Sequence, residues 1–297
     1  MLKNTLSKSD YDSLVNCLKS NQPFFLKNID LKLEDLKEFN GFSSLDNLYK
    51  EWPKEVDSYL PGIADEVNSV TLDKEEAFQN YREGKSLLFN DANLVYEELQ
   101  KMTEDIQTEF GFSQLTIARS LLYAVPSDHG TDPHFDQNYN FIYQLQGKKK
   151  WWISENTEII NPLSRYTIGS QPEPELESYA EKIPSEFPET NTKEYLLEEG
   201  SFLFVPRGAW HKTQSIGSDS LALNFTYTVP SWLDLFLSAL RGKLALDSKW
   251  RDSALFVNHP DFSFEATDEF DELLAILPYD SPNWIAENIL SITESNR

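Results

Sequence analysis

Residues 133–152 read PHFDQNYNFIYQLQGKKKWW, and the fold and chemistry of the chain are read outward from them. The stretch opens with His134-Phe135-Asp136. Side chains two apart share one face of an extended strand, so this imidazole and this carboxylate point the same way. A third metal ligand is available from EEGSFLFVPRGAWHKTQS (198–215), a strand, a Pro-Arg-Gly turn and a return strand that delivers His211. Two histidines and one carboxylate on one side of a divalent metal leave three positions open, the arrangement of non-haem Fe(II) oxygenase sites. An HxD tripeptide alone is weak, because ordinary composition produces it often; the surrounding strands give it weight.

Those strands are short, aromatic or β-branched, and divided by Gly, Pro, Asn and Asp: QLTIARSLLYAV, YNFIYQLQ, KKWWIS, SFLFVP, HKTQS and LALNFTYT. They predict antiparallel pairing closed into a double-sheet jelly roll. After Gly147 the lysines alternate: Lys149 shares a face with Trp151 and Ile153, while Lys148 and Lys150 share the other with Trp152. Periodicity leaves both faces open as the interior one. A lysine inside a barrel needs an anionic partner, and a dicarboxylate ligand would be one; three lysines on a solvated surface patch are the plainer alternative.

The chain has 297 residues, 40% hydrophobic and 13% aromatic, enough for one large core with helical additions. Its 49 acidic against 26 basic side chains, net −23, argue against direct binding to nucleic-acid phosphates and favour basic partners or simple solubility. With Cys17 as the single cysteine no intrachain disulfide forms, and with no apolar leader or eighteen-residue apolar run the expectation is a cytoplasmic protein without a membrane span. No GxGxxG, GxxxxGKS or GxSxG pattern supports a nucleotide cofactor or a serine nucleophile.

Residues 1–112 read as a mostly helical wrapper that sends a strand or two into the barrel. Ser9 is the expected cap of a first helix, QPFFLKN a strand, LEDLKEF a helix stopped by Asn40-Gly41, and SLDNLYKEW a helix stopped at Pro53. Thr71 is the expected cap of LDKEEAFQNYREG, and Asn90 or Asp91 that of a helix with Val95, Leu99, Met102, Ile106 and Phe110 on one stripe. The barrel is expected over 113–228, interrupted at 155–194 by an insertion rich in Pro and Glu that either meets substrate near the mouth or forms a passive surface loop. Residues 229–297 return to helical spacing. Ser231 caps WLDLFLSALRGKLAL, DEFDELLAIL follows before Pro278, and Ser281-Pro282 opens a last helix. The fold class is thus α+β, a double-stranded β-helix core between helical ends.

Four pieces, AVPSDHGTDPHFDQNYNFIYQLQGKKKWW, EEGSFLFVPRGAWH, SLALNFTY and WLDLFLSALRGKLA, resemble the JmjC-type 2-oxoglutarate oxygenases of the cupin superfamily, in particular their ribosomal-oxygenase branch. The resemblance spans roughly Leu115 to Ala245. It implies Fe(II) held by His134, Asp136 and His211, and 2-oxoglutarate chelating that metal while Lys149, fifteen residues after the first histidine, anchors its far carboxylate. Thr131, Asn140 and Asn224 fall where relatives place groups near the cosubstrate. It further implies hydroxylation of an amino-acid side chain in a protein or peptide, with succinate and CO2 as coproducts, and a helical dimerisation region beyond about residue 229. The roughly seventy residues after Tyr227 are too few, at ordinary domain sizes, for both that region and the winged-helix module that follows it in larger members. Hydroxylation of a small cationic metabolite, such as a free or carrier-bound amino acid, and a non-catalytic metal-binding cupin are the alternative functions. Tyr123, Tyr139 and Tyr143 are candidates to pack the substrate or, equally, to belong to the core. His129, in the SDHGTD loop, is a poor candidate ligand, and His259 is expected to be structural.

Overall fold

The computed structural model describes residues 1–29, 44–255, 257, 260–261 and 263–280, with the side chains of 276 and 278–280 excepted. Asn40-Gly41, His259 and the helix expected from Ser281 lie outside the described residues. The chain divides into two compact units, 1–112 with 116–229, and 113–115 with 230–297.

In the first unit, helices α1 (Leu2–Thr5) and α2 (Lys8–Lys19) lead to strand β1 (Phe24–Leu26), and α3 (Leu45–Glu51) to strands β2 (Val56–Tyr59) and β3 (Ser69–Leu72). Helix α4 (Lys74–Arg82), strand β4 (Leu87–Phe89) and helix α5 (Glu97–Glu109) complete this part. The barrel strands are β5 (Ile117–Val125), β6 (Gly130–Phe135), β7 (Tyr139–Gln146), β8 (Lys149–Ser154), β9 (Tyr166–Thr167), β10 (Lys193–Leu197), β11 (Phe202–Val205), β12 (Trp210–Ser215) and β13 (Ser220–Thr228). One short helix, α6 (Pro174–Tyr179), lies between β9 and β10. The second unit holds α7 (Trp232–Leu244) and α8 (Ser263–Asp280).

All pairings are antiparallel, in two sheets of order β1-β11-β7-β13-β5-β4-β2-β3 and β10-β8-β12-β6-β9. This is the expected jelly roll of cupin type. Four strands before residue 112 extend the larger sheet, β1 at one edge and β4, β2 and β3 at the other, where one or two were expected. Alternation sorts the side chains of the larger sheet. Phe141, Tyr143, Phe204, Phe225 and Tyr227 point outward into a core with Leu14, Trp52, Phe78, Leu99 and Ile106 of the covering helices. The Tyr227 hydroxyl donates to the Thr103 carbonyl of α5 at 2.9 Å, and Phe110 stacks on Phe141 with centroids 5.4 Å apart. Tyr139 and Tyr143 therefore serve this core, not the substrate; only Tyr123 of the three faces the barrel cavity.

Several helix starts differ from expectation because a better acceptor lies nearby. Ser7, not Ser9, caps α2, its hydroxyl accepting from Asp10 N at 3.1 Å. Thr71 is held in β3 opposite Asp57, donating to that carboxylate at 2.6 Å, so Asp73 caps α4 by accepting from Glu76 N. Asp91 adopts a left-handed φ of 52° ahead of a 3-10 turn at Ala92–Leu94, which delays α5 to Glu97. Ser231 caps α7 through a complete capping box with Asp234, as expected. Helix α8 continues past Pro278 to Asp280 instead of ending before it.

The 155–194 insertion is only partly regular. Ile159, Tyr166 and Leu176 pack over Phe135 and Trp210 on the outer face of the smaller sheet, and β9 extends that sheet beside β6. Among the described residues, no helix is long and apolar enough to cross a membrane.

Candidate active site

His134 on β6 and His211 on β12 are direct cross-strand neighbours, with ring centroids 4.1 Å apart, and Asp136 follows the end of β6 on the same face as His134. The ligand atoms of the three residues lie within 4.8 Å of one another. His134 Nδ1 lies 2.7 Å from Asp132 O and His211 Nδ1 2.9 Å from Ala209 O. A carbonyl only accepts, so both Nδ1 atoms carry protons and it is the Nε2 atoms that are left to face a metal. Burial, with His134 as the next contribution, pushes His211 down to about 4, which keeps the imidazole neutral as metal binding requires. Burial alone would raise Asp136, but His134, Arg165 and His211 outweigh it and hold the carboxyl below its usual range; Arg165 is the permanent cation among them. A compact set of two imidazole Nε2 atoms and one carboxylate fits an Fe(II) ion with open positions.

Strand irregularity completes the face. Strict alternation would turn Thr131, three residues before His134, to the opposite side. Instead the β6–β12 register shifts: His211 pairs with His134 and Thr213 with Thr131, placing one extra residue on β6. Thr131 and Thr213 then meet with hydroxyls 2.8 Å apart on the cavity wall. Gly130 permits the close approach, since a Cβ there would fall 1.7 Å from Thr213 O.

Lys149, Trp151 and Ile153 occupy the inner face of β8, while Lys148 and Lys150 point outward to Glu198 at 2.6 Å and Glu194 at 2.9 Å. Lys149 is 3% exposed. Its ammonium has no carboxylate or hydrogen-bond partner among the described residues; the Tyr123 and Trp151 rings lie 5.7 Å away. Burial pushes its pKa down to about 8. A buried, unpaired cation is costly unless a ligand anion completes it. The Trp151 Nε1 proton and the Asn224 Oδ1 acceptor are also buried and unmatched beside it, so the wall suits a ligand carrying both charge and hydrogen-bonding oxygens.

One cavity of about 340 Å³ collects His134, Asp136, His211, Lys149, Thr131, Asn140 and Asn224. Asn140 donates to Asp136 Oδ2 at 3.2 Å and accepts from the Thr226 hydroxyl at 2.8 Å, so its amide is committed to a metal-facing carboxylate. His129 sits on an exposed loop with Nδ1 2.9 Å from Ser127 O, outside the triad. The sequence reading missed Asp65, Glu66 and Arg165, which line the same cavity. Arg165, sent inward by the insertion, pairs with Asp65 at 2.8 Å and Glu66 at 3.4 Å, and its Nε lies 3.5 Å from Asp136 Oδ1. Glu66 also accepts from the Tyr123 hydroxyl. The available signal was faint: Arg165 is the first basic residue in an acidic insertion, and Asp65-Glu66 is one acidic pair among many.

A profile of the JmjC domain matches residues 95–235. YxbC of Bacillus subtilis (strain 168), itself uncharacterised, is 31% identical over 227 residues, covering 74% of this chain and 68% of its own. The chain belongs to the JmjC family. The chain is a 2-oxoglutarate-dependent oxygenase of that family, and its His134, Asp136 and His211 set is the one that would hold Fe(II). Ribosomal oxygenase 2 of Rattus norvegicus is 29% identical over 180 residues, 59% of this chain. The match spans only 34% of that relative's length. Among solved structures, E. coli ycfD superposes with a TM-score of 0.53 at 19% identity, covering 92% of this chain and 68% of that one, a likeness of JmjC fold.

Proposed function

We propose that this chain hydroxylates an amino-acid side chain within a protein or peptide, using Fe(II), 2-oxoglutarate and O2. The observation that carries the reading is the pairing, in one cavity, of an inward-facing His134/Asp136/His211 set with a buried, unpartnered Lys149. Bound there, Fe(II) with 2-oxoglutarate supplies the oxidising power to insert one atom of O2 into an unactivated C–H bond, the other leaving in succinate as CO2 is released.

The chain's own residues supply geometry. His134, Asp136 and His211 offer three ligands from one side, with both Nδ1 protons committed to backbone carbonyls. Asn140, backed by Thr226, holds one oxygen of Asp136. Lys149 receives the distal carboxylate of the cosubstrate and so orients it, while the Tyr123 and Trp151 rings flank the ammonium and keep water from it. Thr131 and Thr213 add hydroxyls to the same wall.

A polypeptide substrate is supported by relatives whose names specify reactions on protein side chains, among them a lysine-specific demethylase and histidyl-hydroxylase of Dictyostelium discoideum, 27% identical over 172 residues. It is supported also by a net charge of −23, which steers basic partners toward the enzyme. A cytoplasmic setting is consistent with a chain holding one cysteine. The test is 2-oxoglutarate turnover with a basic peptide or ribosomal-protein mixture beside a panel of free amino acids, with product masses measured in both. A gain of one oxygen on a polypeptide, at a rate that falls as salt rises, is expected. Hydroxylation of a free amino acid alone would redirect the proposal to a small cationic metabolite. We also propose a homodimer through residues beyond about 229, supported by Trp232, Leu233 and Leu237, which α7 leaves exposed. Light scattering at micromolar concentration should read twice the chain mass; a monomer throughout that range would refute it.

A further inference from the structure

The two histidines of the triad are not equivalent. Each donates its Nδ1 proton to a backbone carbonyl two residues earlier, but only His134 has an anion beside that proton: Asp65 Oδ2 lies 3.5 Å from His134 Nδ1. Asp65 is 1% exposed. Placing a bare carboxylate there would be costly, and Arg165 offsets that cost with contacts of 2.8 and 2.9 Å to its two oxygens. The same carboxylate accepts from Val67 N at 3.0 Å, which fixes its angle at the end of the β2–β3 connection. Asp132, whose carbonyl takes the His134 proton, is itself stitched to that connection: its carboxylate accepts from Ala64 N at 2.7 Å and its own N–H donates to Ala64 O at 2.9 Å. The neighbour of Asp65 therefore holds the strand that carries His134.

We propose that Asp65, clamped by Arg165, is a positioning residue for the metal site, an outer carboxylate that orients the His134 ring and strengthens its Nε2 as a ligand. Negative charge beyond the far nitrogen of a ligating imidazole favours electron donation toward the metal, and loss of such a partner commonly weakens binding about ten- to a hundredfold. The proposal rests on the metal-site reading given above. It differs from a purely structural role for the Asp65–Arg165 pair, which would lower the melting temperature while leaving the folded protein's metal affinity unchanged.

The test is titration of the full chain with Co(II), without 2-oxoglutarate, read by the visible absorption of the bound ion. Asp65→Asn keeps the shape and a hydrogen bond to Arg165 but removes the charge, and should weaken Co(II) about ten- to a hundredfold. A Co(II) affinity within threefold of the unmodified chain would overturn the proposal. For a variant too marginal to titrate, the rise in melting temperature on adding Co(II) reports the same affinity, because a ligand that binds only the folded state stabilises it in proportion to occupancy. The unmodified chain separates the two readings. If it binds no Co(II), the metal site falls and this inference with it; if it binds Co(II) and Asp65→Asn binds equally, only the role of Asp65 falls.

Discussion

Asp136→Ala should abolish turnover while leaving a folded protein. Asp136 is the single anionic ligand of the triad, and the two neutral imidazoles that remain cannot neutralise a divalent ion or hold it from one side. A catalytic metal contributes several kcal/mol to lowering the barrier, so its loss corresponds to about three orders of magnitude or more in rate. The fold should tolerate the change. Asp136 lies beyond the last residue of β6, and Arg165 keeps Asp65 and Glu66 as partners when Asp136 is gone. The measurement is succinate formed after Fe(II) and 2-oxoglutarate are added anaerobically and O2 is then admitted, alongside iron affinity and far-UV dichroism. Wild-type iron affinity with undiminished succinate in Asp136→Ala would remove the triad from the mechanism. His134→Ala and His211→Ala should behave alike.

Lys149→Met should separate stability from function in opposite directions. The fold holds Lys149 at a pKa of about 8 against an ordinary 10.5, because burial disfavours the charged form. The folded state therefore carries a penalty of roughly 3 kcal/mol while the ammonium remains protonated. That penalty applies in full below pH 8 and disappears as pH rises from about 8 to 10.5, the window in which the unfolded chain binds the extra proton. Stability of the ligand-free enzyme should accordingly rise through that window, and in Lys149→Met it should start higher and lack the rise. Affinity for 2-oxoglutarate should do the reverse. Removing the partner of a buried carboxylate costs about 2–5 kcal/mol, whereas the exposed Lys148 and Lys150 pairs are worth little. In the unmodified enzyme the same affinity should decline above pH 8, as the free protein loses the proton that the carboxylate needs. Melting curves and 2-oxoglutarate titrations across pH 7–10 test both arms. Equal, small effects at all three lysines would make them a surface patch.

How far the sequence alone carried depended on whether a feature was periodic. The strands of the barrel and the shared face of His134 and Asp136 follow from alternation. So does the partition of the β8 lysines into two sets; which set turns inward does not, because Trp151 and Trp152 are alike in apolarity, and only the outer glutamates 194 and 198 resolve it in space. Thr131 defeats a period of two, since an extra residue in β6 turns it back toward His134. For Tyr139 and Tyr143 the sequence leaves substrate and core both open; alternation with Asn140, which lines the cavity, places the two tyrosines outward in the core. Asp65 and Arg165 are a hundred residues apart and sit in irregular connections, where neither spacing nor polarity marks a buried pair. Their meeting is a property of the closed chain.

That meeting separates two tasks that one cavity must perform. The metal-facing side chains ride on β6 and β12, strands hydrogen-bonded on both flanks within the smaller sheet, where a change in length would shift a whole register. Asp65, Glu66 and Arg165 ride on the connection between β2 and β3 and on the insertion after β8, neither bound by a ladder over most of its length. Such connections accept insertion and deletion readily. A lineage can thus remodel the rest of these connections, and with it the opening, while the strand-borne ligands are inherited unaltered, provided Asp65 and Arg165, which also support His134, are kept in step. Change on one side without the other strands a buried charge, so these two distant loops are expected to diversify as a pair.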